Sequence, residues 1–290
     1  MAKLYDRRRG GRPTPCYMEA DLDQLVVTDK LRVLYKGKKP TDMEQIGEGG
    51  YGTVFMLQYA DGTEFIMKKQ AADEEALTNL KTAEGLRDCD LVEFKAVNIN
   101  DREIWTLMEV MEKDVFSMKL NRRKRDARDF AIFMRRTLQC LLREPHAASF
   151  TDMKPRNVAV KACKPKDSFR LIDLDGINGV VSSIPAIPKF TSECETPEEQ
   201  RMQTVYAFAV TAMFFELESP VSMFYYYDLA PFPKRMRFML DHLGRTKVPE
   251  VAMLIMDVDF KTLEALENAA KPKKIAGGFD IRSFFGLDSV

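Results

Sequence analysis

Histidine and cysteine are scarce in this chain, and neither is spaced as a metal or redox site would space it. The two histidines, His146 and His242, and the five cysteines, Cys16, Cys89, Cys140, Cys163 and Cys194, include no Cys-x-x-Cys pair. A zinc ribbon is therefore not expected, and an odd cysteine count without short spacings gives no sign of a disulfide framework. An excess of either charge is missing as well. With 44 Lys and Arg against 44 Asp and Glu, no global field draws the chain to nucleic acid or to an acidic membrane. Nucleic acid is thus not an expected partner, and any phosphate site must be local. Long apolar runs are absent too: the best, Val205 to Phe215, ends at Glu216, well short of the about 20 residues that cross a bilayer. The opening Met-Ala-Lys-Leu-Tyr-Asp-Arg-Arg-Arg has no apolar signal core, so the reading is an intracellular protein, cytoplasmic or nuclear, without a membrane partner.

What is present describes a folded chain. The 290 residues are 45% hydrophobic and 30% charged, with 15 Gly and 14 Pro, which fits one large domain or two small lobes rather than a low-complexity chain. Residues 1–40 read as a partly mobile N-terminal extension, because Arg7, Arg8, Arg9 and Arg12 alternate with Gly and Pro before any periodic pattern begins. Two short apolar stretches follow, Leu25-Val26-Val27 and Leu31-Arg32-Val33-Leu34-Tyr35. Residues 41–111 form a β-rich unit. Three antiparallel strands are expected between Glu44 and Lys69 around a Gly-rich turn and an Asp61-Gly62 turn, then a helix over Ala72–Leu86, then strands over Leu91–Val97 and Ile104–Val110. On that helix Leu77, Leu80 and Glu84 are expected to share one face. Residues 112–290 are mainly helical. Ala127 to Leu142 carries Phe130, Phe133, Met134, Leu138 and Leu141 at the spacing of a buried face, and Val205 to Leu217 is apolar all round. The basic clusters Arg122-Arg123-Lys124-Arg125 and Lys271-Pro272-Lys273-Lys274 read first as solvated faces and leave nuclear entry open.

Four constellations carry chemistry. Ile46-Gly47-Glu48-Gly49-Gly50-Tyr51-Gly52-Thr53-Val54 holds glycines that let backbone amides approach a triphosphate, although alone it is equally a glycine-rich hairpin. Phe65-Ile66-Met67-Lys68-Lys69 places a lysine on a strand, where its ammonium can reach phosphate oxygens. Thr151-Asp152-Met153-Lys154-Pro155-Arg156-Asn157 supplies a proton acceptor, a cation and an oxygen ligand within one loop. Leu171-Ile172-Asp173-Leu174-Asp175 is an apolar strand that ends in carboxylates, as a hard divalent cation requires.

In this order the four pieces resemble the eukaryotic-type protein kinases over roughly residues 42 to 217. The resemblance implies an α+β fold of two lobes: a small five-stranded antiparallel lobe with one helix, over residues 41–111, and a larger, mainly helical lobe over 112–290 with shortened C-terminal helices. It implies that Gly47, Gly49 and Gly52 cover the phosphates of ATP, and that Lys68, with Lys69 as the alternative, binds them. Val54, Glu109 and Met111 would border the nucleotide, with Met108 behind the adenine. Asp152 would accept the hydroxyl proton, Lys154 would neutralise the transferring group, and Asn157 and Asp173 would hold Mg2+. Glu84, Glu75 and Glu74 all remain candidates to pair with Lys68. Thr196-Pro197-Glu198 resembles the end of an activation segment, and Thr191, seven residues before Glu198, favours a protein substrate with a Ser or Thr acceptor.

Departures from the family pattern shape the expectation. Phe150-Thr151 stands where His-Arg precedes the catalytic Asp, so an activating phosphate read by that Arg is not expected, and a regulatory protein partner remains open. Ile66 and Thr204 replace a small residue at the adenine and a tying Asp. The competing readings are a pseudokinase scaffold that binds a partner protein and a small-molecule kinase of the aminoglycoside/choline type. Retained Asp152, Asn157 and Asp173 argue against the first, and the intact glycine loop with Asp-x-Lys-Pro argues against the second.

Overall fold

The computed structural model describes residues 21–49, 52–99, 102–111, 113–115, 127–143, 153–160, 169–173, 196–217 and 232–261. They form an α+β structure with a sheet-rich part and several helices. No helix among the described residues is long and apolar enough to cross a membrane.

Strands β1 (Leu25–Val27) and β2 (Val33–Tyr35) make a separate hairpin. The main sheet contains β3 (Asp42–Gly49), β4 (Gly52–Gln58), β5 (Glu64–Ala71), β6 (Phe94–Ile99) and β7 (Glu103–Met108). Its order is β3-β4-β5-β7-β6, antiparallel throughout. The β4–β5 reversal is local chemistry. Gly62 adopts φ +84°, and the Asp61 carboxylate accepts from the Thr63 amide at 2.9 Å, which pulls its pKa below the ordinary value. Helix α1 (Glu74–Gly85) connects β5 to β6. Asp73 caps it by accepting from the Ala76 amide at 2.8 Å, and Glu74 and Glu75 lie in its first turn, where the helix dipole favours them.

Alternation along the strands gives the sheet two apolar faces. On one, Leu57, Phe65, Met67, Trp105 and Leu107 are buried beneath Leu25, Val33 and Tyr35 of the β1–β2 hairpin. The two apolar stretches near the N-terminus therefore seat here, helped by Lys95 Nζ donating to the Leu25 carbonyl at 3.0 Å. On the other face, Ile104 and Met108 meet Ala76, Leu80 and Ala83 of α1, and this core continues without a break into the helices.

The helical part contains α2 (Ala127–Leu141), α3 (Pro197–Glu216), α4 (Phe232–Leu243) and α5 (Pro249–Met256), with a small sheet of β8 (Lys113–Asp114), β9 (Val158–Val160) and β10 (Phe169–Leu171). Phe130, Phe133, Met134, Leu138 and Leu141 are all buried, as their spacing on α2 predicts. The central helix starts earlier than its apolar run: it opens at Pro197, so Pro197 and Glu198 lie in its first turn, directly after Thr196. Proline is well suited there, because the amide it lacks would have had no partner inside the helix.

One expectation is overturned outright. Cys89 and Cys140 are joined by a disulfide, with Cα atoms 5.3 Å apart and 51 residues between them in sequence. Short-spacing motifs cannot reveal such a pair; it forms because the turn after α1 docks on α2. Asp90, held at φ +59°, bonds both Arg136 Nε (2.9 Å) and Nη2 (2.8 Å) and accepts from Thr137 Oγ1 at 3.1 Å. Leu91 and Val92 do not join β6 as expected. The Val92 amide donates to the Leu171 carbonyl (2.8 Å) and the Leu171 amide to the Asp90 carbonyl (3.0 Å), so this segment is shared with β10.

Candidate functional site

The glycine-rich segment is a tapering hairpin. Gly47 pairs with Val54, Glu48 with Thr53 and Gly49 with Gly52, after a bulge between Gln45 and Gly47. Gly52 has φ +125°, and a Cβ there would run into the Lys69 carbonyl oxygen and come within 3.1 Å of the Gln70 Cβ. No other residue fits. Gly50 and Tyr51 lie outside the described residues.

The two adjacent lysines part company on β5. Lys69 projects to the face that carries Trp105, with its ammonium 4.2 Å from that ring's centroid and 5.2 Å from that of Phe55, a cation–π setting. Lys68, on the opposite side with Ile66, is opposed by Val54 on β4 and Thr106 on β7. It is half-buried on the side of the sheet that α1 covers. Thr106 is buried, and its hydroxyl has no hydrogen-bond partner among the described residues. Lys68 and Lys69 thus occupy opposite faces of the sheet, the first on the side of α1 and the second on the side of Trp105.

None of the candidate glutamates reaches that side. Glu74, Glu75 and Glu84 are all exposed, and Leu77, expected inside, is 45% exposed. The buried face of α1 is Ala76, Asn79, Leu80 and Ala83, with Asn79 only 3% exposed. Asn79 is the polar residue that sequence reasoning missed. The signal was present as an i, i+3, i+4, i+7 pattern, but two of its four members are alanines and one is polar.

Asn157 ends a 3-10 turn, Pro155–Asn157, closed by its amide donating to the Lys154 carbonyl at 2.9 Å. Next to it, β9 and β10 pair with Val158 opposite Leu171. The Ile172 amide continues this ladder onto the Asn157 carbonyl at 3.0 Å. Asn157 and Asp173 are therefore brought to the same end of the hairpin, the first buried and the second half-buried. Carboxamide and carboxylate oxygens are hard donors of the kind that suits a divalent cation with oxygen preference. Lys154 is half-buried one turn away. A tie to the central helix holds the loop from behind: Thr211 Oγ1 on α3 donates to the Met153 carbonyl at 3.5 Å. Thr204, expected to mark a missing tie, is fully buried in the same helix.

After β7, Met108 and Met111 are buried. The Glu109 carboxylate accepts from the Glu93 amide at 3.1 Å, while the Glu109 amide donates to the Glu93 carbonyl at 3.2 Å. Its side chain thus fastens the segment after β7 to the residue before β6. Asp152, Thr151, Asp175, Thr191 and both basic clusters lie outside the described residues. No protein-family model matches the chain, and no curated protein matches it significantly.

Proposed function

We propose that this chain is a phosphotransferase of the eukaryotic protein-kinase type, moving the γ-phosphoryl group of ATP to a Ser or Thr hydroxyl of a protein substrate. The observation that carries the reading is the ladder bond from Ile172 to Asn157, which sets a carboxamide and a carboxylate at neighbouring positions. Both belong to the motifs expected to hold magnesium, and their oxygen chemistry fits it. Magnesium bound there supplies charge neutralisation at the phosphates. The chain's own residues do the rest. Amides of the Gly47–Gly52 hairpin and the Lys68 ammonium hold the phosphates, Val54, Met108 and Met111 border the adenine, Lys154 neutralises the moving group, and Asp152 orients the acceptor hydroxyl.

A second reading, a scaffold that binds nucleotide or a partner without turnover, draws on one observation. The buried face of α1 presents Asn79 rather than a carboxylate to the side of the sheet where Lys68 lies. Incubation with labelled ATP and magnesium against generic proteins and small alcohols separates the readings. Label on Ser or Thr of protein, lost in Asp152→Asn while nucleotide binding is kept, is the expected outcome. Asp173→Asn should in addition weaken magnesium-dependent nucleotide binding, because it removes a metal ligand. Label on a small alcohol would instead indicate a small-molecule kinase, and no label on anything, from folded protein, would leave the scaffold.

A further inference from the structure

We propose that Cys89 and Cys140 form a reversible thiol–disulfide latch that controls the order of the β9–β10 hairpin, and with it the placement of Asn157 and Asp173. Its consequence for activity rests on the phosphotransfer reading; the latch itself does not.

The argument starts from position. Cys89 lies in the turn after α1 and is 2% exposed, whereas Cys140, near the C-terminal end of α2, is half-buried. The residue next to Cys89, Asp90, grips α2 through Arg136 and Thr137 and offers its carbonyl to the Leu171 amide. Val92 then donates to the Leu171 carbonyl. Residues 89–92 therefore hold α2 with the disulfide, one ion pair and the Thr137 hydrogen bond, and hold β10 with two backbone bonds. Leu171 is opposite Val158 in the β9–β10 pair, and the next residue, Ile172, bonds Asn157. From the sulfurs to the Asn157/Asp173 end of the hairpin the path runs entirely through adjacent residues and hydrogen bonds.

Release of the bond would loosen this joint without dismantling it. The bidentate Asp90–Arg136 pair, with side chains 17% and 49% exposed, and the backbone bonds survive reduction, but these are non-covalent contacts that open and reclose, which the disulfide does not. Two states of one fold result, one stapled and one held only by polar contacts.

The chemistry balances with a dithiol as reductant. A thiolate attacks the Cys140 sulfur, the more accessible of the two; the S–S bond breaks and Cys89 leaves as a thiolate that takes up a proton. The second thiol of the reagent then displaces Cys140, giving two protein thiols and one cyclic disulfide of the reagent. Oxidised glutathione reverses the process, leaving two molecules of reduced glutathione.

The test uses the full chain, oxidised, with and without dithiothreitol under native conditions. Alkylation followed by peptide mass analysis reads the state of Cys89 and Cys140, and hydrogen exchange reads the amides of Val92, Leu171 and Ile172. Expected are blocked cysteines before reduction and free ones after, with at least tenfold faster exchange at those amides and little change in α3. Oxidised glutathione should restore slow exchange. Cys140→Ser, or Cys140→Ala should the serine variant fold poorly, should exchange like the reduced protein and ignore dithiothreitol. Cysteines that alkylate before reduction, a bond that resists dithiothreitol in the native state, or exchange that is the same in both states would each overturn the proposal. None of these readouts involves ATP, so failure of the latch and failure of the phosphotransfer reading show separately.

Discussion

Tyr59 is 4% exposed, with the rings of Tyr35 and Phe65 at centroid distances of 5.4 and 5.9 Å, and its hydroxyl has no hydrogen-bond partner among the described residues. Burial disfavours the phenolate and raises its pKa from 10.0 to about 12. A group whose folded pKa lies above its unfolded one contributes stability that is fully present below the lower value and is lost as pH rises through the higher. Two pH units correspond to about 3 kcal/mol, lost between about pH 10 and 12. Tyr59→Phe keeps the ring contacts and removes an unpaired hydroxyl, so its urea midpoint at pH 7 should equal or exceed that of the parent. Its stability should also fall less between pH 9 and pH 11. A variant weaker than the parent at pH 7 by about 1 kcal/mol or more would show that the hydroxyl has a partner after all. The same dependence on surroundings separates Lys68 from Lys69. The alternation of β5 was legible in the sequence, but which of its faces α1 would cover was not, because that depends on β7 entering between β5 and β6.

Glu216 entered the sequence reading only as the residue that stops an apolar run, yet it joins three elements. At the end of α3 its carboxylate accepts from Thr246 Oγ1 at 2.8 and 2.6 Å and from the Lys247 amide at 3.2 Å, and lies 2.8 Å from His242 Nε2 at the end of α4. Thr246 in turn accepts from the Val248 amide, which leads into α5. Glu216→Ala would leave the buried His242 imidazole without this partner and the half-buried Thr246 hydroxyl with only its longer bond to the Val248 carbonyl at 3.4 Å, and should cost about 3 kcal/mol. Glu216→Gln, which keeps one acceptor oxygen, should cost clearly less. Chemical denaturation of the two variants checks the order, and equal losses would mean that the carboxylate acts only by filling space. Legibility followed the strength of the apolar signal. Strands β4, β5 and β7 and helix α2 could be read because large apolar residues recur in short steps along them, and β3 because the glycine-rich turn marks its end. The buried face of α1 could not, since Ala76 and Ala83 contribute little signal while exposed Leu77 contributes much. The start of α3 was hidden because a helix that is buried all round has no periodicity to extend back to Pro197.

A single apolar core runs from α1 and one face of the sheet through α2, β9 and β10 to α3 and α5, with a second core confined to the other face under the β1–β2 hairpin. Relations at this range were beyond sequence patterns: Cys89 finds Cys140 across 51 positions, and Asn157 comes to the same end of the β9–β10 hairpin as Asp173 only because Val158 pairs with Leu171. The disulfide matters to the whole molecule through the unfolded chain, where it closes a long loop. In the chain-entropy description a loop of that size restricts the unfolded state by about 4 kcal/mol, a figure that real disulfides often fall short of. In a protein this large each kcal/mol moves the melting temperature by about 2–4 °C. Reduction should therefore lower it by up to about 16 °C, and calorimetry should show one cooperative transition in either redox state, because the unbroken core leaves the sheet and the helices no separate place to melt. Two resolved transitions would show that the sheet-rich part and the helices unfold independently. If those two transitions appeared only after reduction, the disulfide rather than the shared core would be what joins them.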